Sequence, residues 1–378
     1  MIVGIPKEIK VGETRVAITR EGLKEFIRQD HKVLIESSAG EKSGISDSDY
    51  EAAGGIIVEK EELFSDAELI LKIKQPYAEE MPYFREDQIL FTYLHLDENA
   101  PREYTEELLK LGIYAIAYEW VEKEDGTHPL LIPMSEITGN LVVQIGLSLL
   151  TSPNGGKGIF AGGIDGLSPT RVTIIGGGII GCNAANYALR VGAKVTIIDK
   201  HPWDLSERLK RYVPARLVEM VDGVESDENN IRRILPQTDL LINCAVRRPD
   251  FVEPHLITRD MLKLIGKGSV LIDATACDHD MVETSKSTSH LEPTFVVDGI
   301  THYCVGNVPA AVPRTSTLAL TSKTLPYALE IANKGFWSAI SENEELAKGV
   351  MFVKGKIVSK LIADLRGFDY YPLHTVRG

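Results

Sequence analysis

Short runs of β-branched and other apolar residues alternate with amphipathic stretches along most of this 378-residue chain. The runs predict strands at 2–4, 32–36, 68–73, 88–93 and 113–118, with helices over 21–29 and 101–111. A helix over 134–150 follows, with Ser135 as its N-cap and Glu136 in its first turn. Beyond the glycine-rich loop at 152–158 the alternation resumes. Strands fall at 172–175, 194–198, 239–244, 269–273 and 294–298, and helices near 205–212, 229–235 and 259–265. From Thr315 the period becomes that of one long helix, in which Pro326 predicts a kink. Alternating strands and helices imply mostly parallel sheets covered on both faces. The expectation is an α/β chain of two doubly wound, Rossmann-like domains. The chain leaves the first domain, builds the second and returns, which divides it into 1–130 with 305–378 and 131–304.

One stretch, 172–199, carries a chemical signal. An apolar strand runs into Gly176-Gly177-Gly178-Ile179-Ile180-Gly181, which fits G-x-G-x-x-G, then a helix, a second strand and an acid, Asp199. In such a turn Gly176 permits the tight bend, Gly178 lets a pyrophosphate approach the backbone, and Gly181 lets helix and strand pack closely. The helix N-terminus offers unpaired N–H groups and a positive dipole end to the phosphates. A carboxylate at Asp199 can accept hydrogen bonds from both ribose hydroxyls and would repel a 2′-phosphate, which favours NAD over NADP. A glycine fingerprint alone is weak. Strand, turn, helix, strand and acid in this order is strong.

Composition narrows the class further. The chain is 44% hydrophobic and 25% charged, ordinary for a globular protein, and its net charge of −13 argues against nucleic acid. The first ten residues are too polar for a signal peptide, and the most apolar helix candidate, 137–150, is too short to span a bilayer. Cys182, Cys244, Cys277 and Cys304 are scattered, without a C-x-x-C pair or histidines at ligand spacing. That pattern suits a reducing, cytoplasmic setting and gives no support for a metal.

In doubly wound sheets ligands bind beyond the carboxyl ends of the strands, so polar residues there carry weight. Lys74 closes one apolar strand and His95 follows another. Arg15 precedes a β-branched run near the N-terminus. Position alone leaves all three open, since each also fits a solvated strand end, a loop cap or a surface charge.

Several segments together resemble one family, the alanine dehydrogenases, which share ancestry with the NAD-binding part of nicotinamide nucleotide transhydrogenase. The segments are GIPKEIKVGETRVAIT, LKIKQP, QILFTYLHL, PLLIPMSEITG, the glycine fingerprint, VETSKSTSH and HYCVGNVPAAVPRTSTLALT. The resemblance implies a substrate domain built from both chain ends and a central NAD domain. It implies oxidative deamination of L-alanine to pyruvate and ammonium with NAD, and the reverse reductive amination. By the same resemblance Arg15 holds the substrate carboxylate, Lys74 contacts the carboxylate or carbonyl oxygen, and His95 is the catalytic histidine. Ser135, Asp199 and Asn307 match cofactor-contacting positions, alongside Gly176, Gly178 and Gly181. The family forms hexamers, which implies a homo-oligomer whose partners are small molecules rather than nucleic acid or membrane.

The chemistry asks for these residue types. An imidazole can move a proton in either direction near neutral pH, a cation stabilises charge on a carbonyl oxygen, and the nicotinamide accepts the hydride. Two stretches depart from the family pattern. A family aspartate aligns with Cys277, and a shift of one residue gives its role to Asp278. Arg247 and Arg248 stand where the family has apolar residues. These departures leave two alternatives beside alanine. One is a dehydrogenase or opine-type reductive aminase acting on another 2-amino or 2-oxo acid, and the other is an inactive NAD-binding homologue.

Overall fold

The computed structural model describes residues 1–96, 100–246, 254–275 and 280–377. In chain order its strands are β1 (Ile2–Ile5), β2 (Lys32–Glu36), β3 (Ile56–Val58), β4 (Leu69–Leu71), β5 (Ile89–Thr92), β6 (Tyr114–Ala117), β7 (Arg171–Ile175) and β8 (Lys194–Asp199). They continue with β9 (Val221–Glu225), β10 (Leu240–Asn243), β11 (Val270–Asp273), β12 (Thr294–Val297), β13 (Ile300–Tyr303), β14 (Val350–Val353) and β15 (Lys356–Ile357). The chain forms two compact units, Met1–Met134 with Val312–Gly378, and Ser135–Ala311.

In the first unit the sheet order is β3-β2-β1-β4-β5-β6-β14-β15, parallel from β3 to β6 and antiparallel at β14 and β15. In the second it is β9-β8-β7-β10-β11-β13-β12, parallel except for β12. Each sheet reverses direction beside its first strand, at β1/β4 and at β7/β10, the doubly wound arrangement expected from the alternation. Burial on both faces explains the unbroken apolar runs. Val33 and Ile35 of β2 enter one core while Leu34 enters another, and Ile174 and Ile175 of β7 divide in the same way.

Most differences from the sequence reading sit where the apolar signal is weak, but β14, four buried apolar residues in the tail, is a strand the reading did not expect. Strand β9 buries only Val224, β3 has three residues, and β13 hides the polar Thr301 and His302 in its run. The run at 294–298 is the antiparallel edge strand β12, so it does not end the parallel series. The helix expected from 134 begins at Ile132, so Ser135 lies inside its first turn and is not its N-cap. Pro133 is tolerated at that position because the first helical N–H groups need no intrahelical partner. The long helix spans Pro313–Lys334 and continues through Pro326 as one element. Among the described residues no helix is long and apolar enough to cross a membrane.

Candidate active site

Four neighbouring strands of the first unit deliver Lys74 and His95, singled out above, together with two glutamates. Glu8, Lys74 and His95 each lie three residues beyond the end of their strands, β1, β4 and β5, and Glu119 lies two beyond β6. The strands stand in the order β6-β5-β4-β1, so the side chains arise in the order Glu119, His95, Lys74, Glu8. Lys74 Nζ is 3.0 Å from His95 Nε2, and the Thr92 hydroxyl donates to the Lys74 carbonyl at 3.0 Å. The Tyr93 ring unites the group. It stacks on His95 with centroids 5.8 Å apart, and Lys74 Nζ lies 6.0 Å from its centroid. The Tyr93 hydroxyl donates to the Leu130 carbonyl at 2.7 Å, and burial pushes its pKa up.

Arg15 is buried in the loop after β1, held by Glu13 through Nε to Oε1 at 2.7 Å and Nη2 to Oε2 at 2.6 Å. Burial disfavours its charge, but the hydrogen bonds and charge of Glu13 more than offset that and keep the guanidinium protonated. Nη1 faces the Met134 sulfur at 3.0 Å. The fork is thus fixed on its inner side, the preorganisation a bidentate carboxylate clamp needs.

Beneath Lys74 sits a buried charge cluster. Glu8 Oε1 accepts from the Ile73 N–H at 2.6 Å and, more weakly, from the Lys74 N–H at 3.4 Å. Lys72 pairs with Glu80 at 2.5 Å and lies 3.5 Å from Glu8 Oε2, which makes no hydrogen bond to any described residue. Burial pushes the Glu8 pKa up despite Lys72 and the Ile73 N–H, while the carboxylates keep Lys72 charged despite burial.

In the second unit the glycine turn joins β7 to the helix Ile179–Arg190, whose N-cap is Gly178. Gly176 has φ +90°, and a Cβ on Gly181 would lie 1.9 Å from the Gly176 carbonyl oxygen. A Cβ on Gly178 would meet no described atom within 4 Å, so among the described residues this face of the turn is open in front of the helix N-terminus. Asp199, at the end of β8, accepts from the Gly177 N–H at 2.6 Å and the His201 N–H at 2.8 Å. Arg208 bridges both its oxygens, Nη2 at 2.8 Å and Nη1 at 3.3 Å, and also donates to the Gly177 carbonyl at 2.7 Å. Burial raises the Asp199 pKa, but Arg208 and the two N–H groups outweigh it and hold the carboxyl below its ordinary value. These parts fit a dinucleotide: an open backbone face for the pyrophosphate and an ionised carboxylate at the ribose position.

Ser135 lies in the first turn of the helix Ile132–Leu149. Asn307 lies in the turn after β13, where its carbonyl accepts from His290 at 2.8 Å and from the Ala310 N–H at 3.0 Å. Asp278, with Cys277, Arg247 and Arg248, lies outside the described residues. Sequence reasoning did not single out Glu8, Glu13, Glu119, Arg208 or Asp273. The last is fully buried at the end of β11, accepting from Asn243 at 2.9 Å, from the Thr275 hydroxyl at 2.8 Å and from Ser285 at 2.5 Å. The available signal was an acid at or just past a strand end, which Asp273, Glu8 and Glu119 all satisfy.

Comparison with known proteins covers nearly the whole chain. Residues 4–138 match the family model for the alanine dehydrogenase/PNT N-terminal domain, and residues 142–360 that for the C-terminal domain. The chain is 44% identical over 375 residues to an alanine dehydrogenase of Methanococcus maripaludis, covering 98% of each. To that of Bacillus subtilis it is 44% identical over 373 residues, covering 98% of this chain and 96% of the relative. A solved L-alanine dehydrogenase matches with a TM-score of 0.88 at 37% identity, covering 97% of this chain and 99% of the other. A transhydrogenase from Sinorhizobium meliloti shares the fold, with a TM-score of 0.78 at 20% identity, covering 95% of this chain and 99% of the other.

Proposed function

The chain belongs to the alanine dehydrogenase/PNT family, and from that premise we propose that it interconverts L-alanine and pyruvate in an NAD-dependent dehydrogenase reaction. Forward turnover converts L-alanine, NAD⁺ and water to pyruvate, ammonium, NADH and a proton. The observation that carries the reading is the 3.0 Å Lys74–His95 contact across adjacent strand ends, beside the Arg15 fork fixed by Glu13.

Arg15 takes the substrate carboxylate with the side of its guanidinium turned away from Glu13. Lys74 supplies the cation at the carbonyl oxygen, where negative charge develops. His95, whose Nε2 faces Lys74, takes the proton from the attacking water at Nε2 as Lys74 turns to the substrate oxygen, and returns one as ammonia departs. Asp278 takes the role of the family aspartate on a one-residue shift of the alignment, which without the shift sets Cys277 at that position. The Gly176–Gly178–Gly181 turn and Asp199 hold the dinucleotide, and Ser135 and Asn307 complete its contacts. When bound, the nicotinamide accepts and returns the hydride. The ionised Asp199 supports NAD over NADP. A cytoplasmic homo-oligomer, hexameric by family resemblance, is the expected form.

The test is NADH formation from NAD⁺ and L-alanine at alkaline pH, then from a panel of other L-amino acids. Turnover with alanine that His95→Ala abolishes is the expected result. Tight NADH binding with no alanine turnover would overturn the substrate assignment and direct attention to the segment around Cys277.

A further inference from the structure

His95 stands in a backbone conformation that a histidine does not choose freely. Its φ is +51°, in the left-handed region that disfavours residues with a Cβ. Something must hold it there, and the adjacent strand supplies it. Glu119, just past the end of β6, is nine-tenths buried and aims its carboxylate at the turn after β5. Its Oε1 accepts from the His95 N–H at 2.6 Å and from the Leu94 N–H at 2.9 Å, and Oε2 lies 3.2 Å from the same Leu94 nitrogen. Two successive amides are therefore pinned by one oxygen at the residue where the chain turns left-handed.

We propose that Glu119 is a positioning residue for His95: it fixes the left-handed turn that carries the imidazole to Lys74. The proposal rests on the catalytic reading of His95 given above. Glu119 bonds to the backbone of His95, so it acts through geometry rather than through proton transfer. On the opposite flank Glu8 does the same for Lys74, accepting the Ile73 and Lys74 N–H groups, so the outer two strands brace the ends of the inner two. A side-chain acceptor at this place is needed because successive N–H groups beyond a strand end have lost their ladder partners and are buried.

The two conservative variants separate geometry from charge. Glu119→Gln keeps an acceptor oxygen in the same place and removes the charge. Glu119→Asp keeps the charge and withdraws the oxygen by about 1.5 Å, one carbon–carbon bond. The proposal expects Glu119→Gln to keep kcat for L-alanine within about threefold and Glu119→Asp to lose about tenfold or more, since misplacing a catalytic group by about 1 Å can cost about 10²-fold. NADH affinity stays within about threefold in both. Amide hydrogen exchange at Leu94 and His95, which needs no substrate, accelerates at least about tenfold in Glu119→Asp and not in Glu119→Gln. The reverse order in either readout, or two variants indistinguishable from the wild type, would overturn the proposal. Absence of alanine turnover in the wild type would overturn the functional reading instead, and the exchange comparison would still decide the role of Glu119.

Discussion

Lys74 reaches His95 across the ends of two paired parallel strands, and the 3.0 Å separation of Nζ and Nε2 makes the lysine the donor and the imidazole the acceptor. The contact and the base function use the same Nε2 lone pair, so Lys74 must turn from the imidazole towards the substrate oxygen as His95 takes a proton. Lys74→Met removes both the cation and the donor. Its kcat/KM for L-alanine is expected to fall at least about 10²-fold, about 2.7 kcal/mol of transition-state stabilisation. NADH binding, measured by fluorescence titration, stays unchanged because the glycine turn is in the other unit. A loss below about threefold would remove Lys74 from the mechanism.

Glu13 and Arg15 form a fully buried, bidentate pair, with side chains 0% and 2% exposed. Removing one partner leaves the other charge uncompensated, which costs about 3–5 kcal/mol. Glu13→Ala is expected to lose stability of that order in urea unfolding. Glu13→Gln retains one acceptor for Nε but frees the fork to rotate, so KM for L-alanine rises about tenfold or more with a smaller change in kcat. An unchanged KM in a folded Glu13→Gln protein would show that the clamp is structural only.

The raised pKa of Glu8 predicts a stability window whose sign is opposite to that of an ordinary ion-paired acid. The unfolded carboxyl titrates near 4.5, and the folded one above it. Between those values the native state binds more protons than the unfolded state, so stability falls as pH rises through the window and levels off above the folded pKa. Glu8→Gln cannot ionise and still offers an oxygen to the Ile73 N–H. Its stability relative to the wild type should therefore climb as pH rises from 4.5, read by urea midpoints at each pH. A flat difference would mean that Glu8 is ionised throughout.

Asp199 and Arg208 predict what governs cofactor choice. Four donors occupy the Asp199 carboxylate: the Gly177 and His201 N–H groups and two guanidinium nitrogens of Arg208. A ribose hydroxyl must share or displace one of them, and the guanidinium is the group able to move. Asp199→Ala removes the ribose acceptor and leaves Arg208 beside the turn with Asp204 as its carboxylate partner. NADH affinity is expected to fall at least about tenfold, while NADPH, whose 2′-phosphate suits an arginine, becomes the better ligand. Retained preference for NADH would place the ribose elsewhere.

The fold was legible because burial on both sheet faces leaves unbroken apolar runs, and the three residues Arg15, Lys74 and His95 were legible as candidates because they stand beside strand ends. Their carboxylate partners were not. Glu8 and Glu13 lie in loops and Glu119 in a short 3₁₀ turn, where glutamate is normally solvated, and nothing local records that neighbouring strands bury them. Arg208 was hidden for a related reason: its bond to Asp199 depends on how the chain turns back after β8, not on spacing. Strands β9 and β13 escaped because an exposed edge strand and a strand with buried Thr301 and His302 both break the apolar signal.

Two glycines of the same turn should fail in different ways, and the contrast tests whether the turn binds a dinucleotide. At Gly181 a Cβ would fall 1.9 Å from the Gly176 carbonyl oxygen, a clash only backbone movement can relieve. Gly181→Ala is therefore expected to lower the thermal midpoint and weaken NADH binding together. At Gly178 the backbone has φ −76° and no described atom lies within 4 Å of the added carbon, so alanine fits the free protein without strain. If that open face receives the pyrophosphate, the methyl group occupies space the phosphates need. Gly178→Ala should then keep the wild-type midpoint while NADH affinity falls at least about tenfold, and the thermal stabilisation that saturating NADH gives the wild type shrinks with it. Unchanged NADH affinity in Gly178→Ala would mean that the phosphates do not approach the backbone at this position, and that the glycine serves the turn alone.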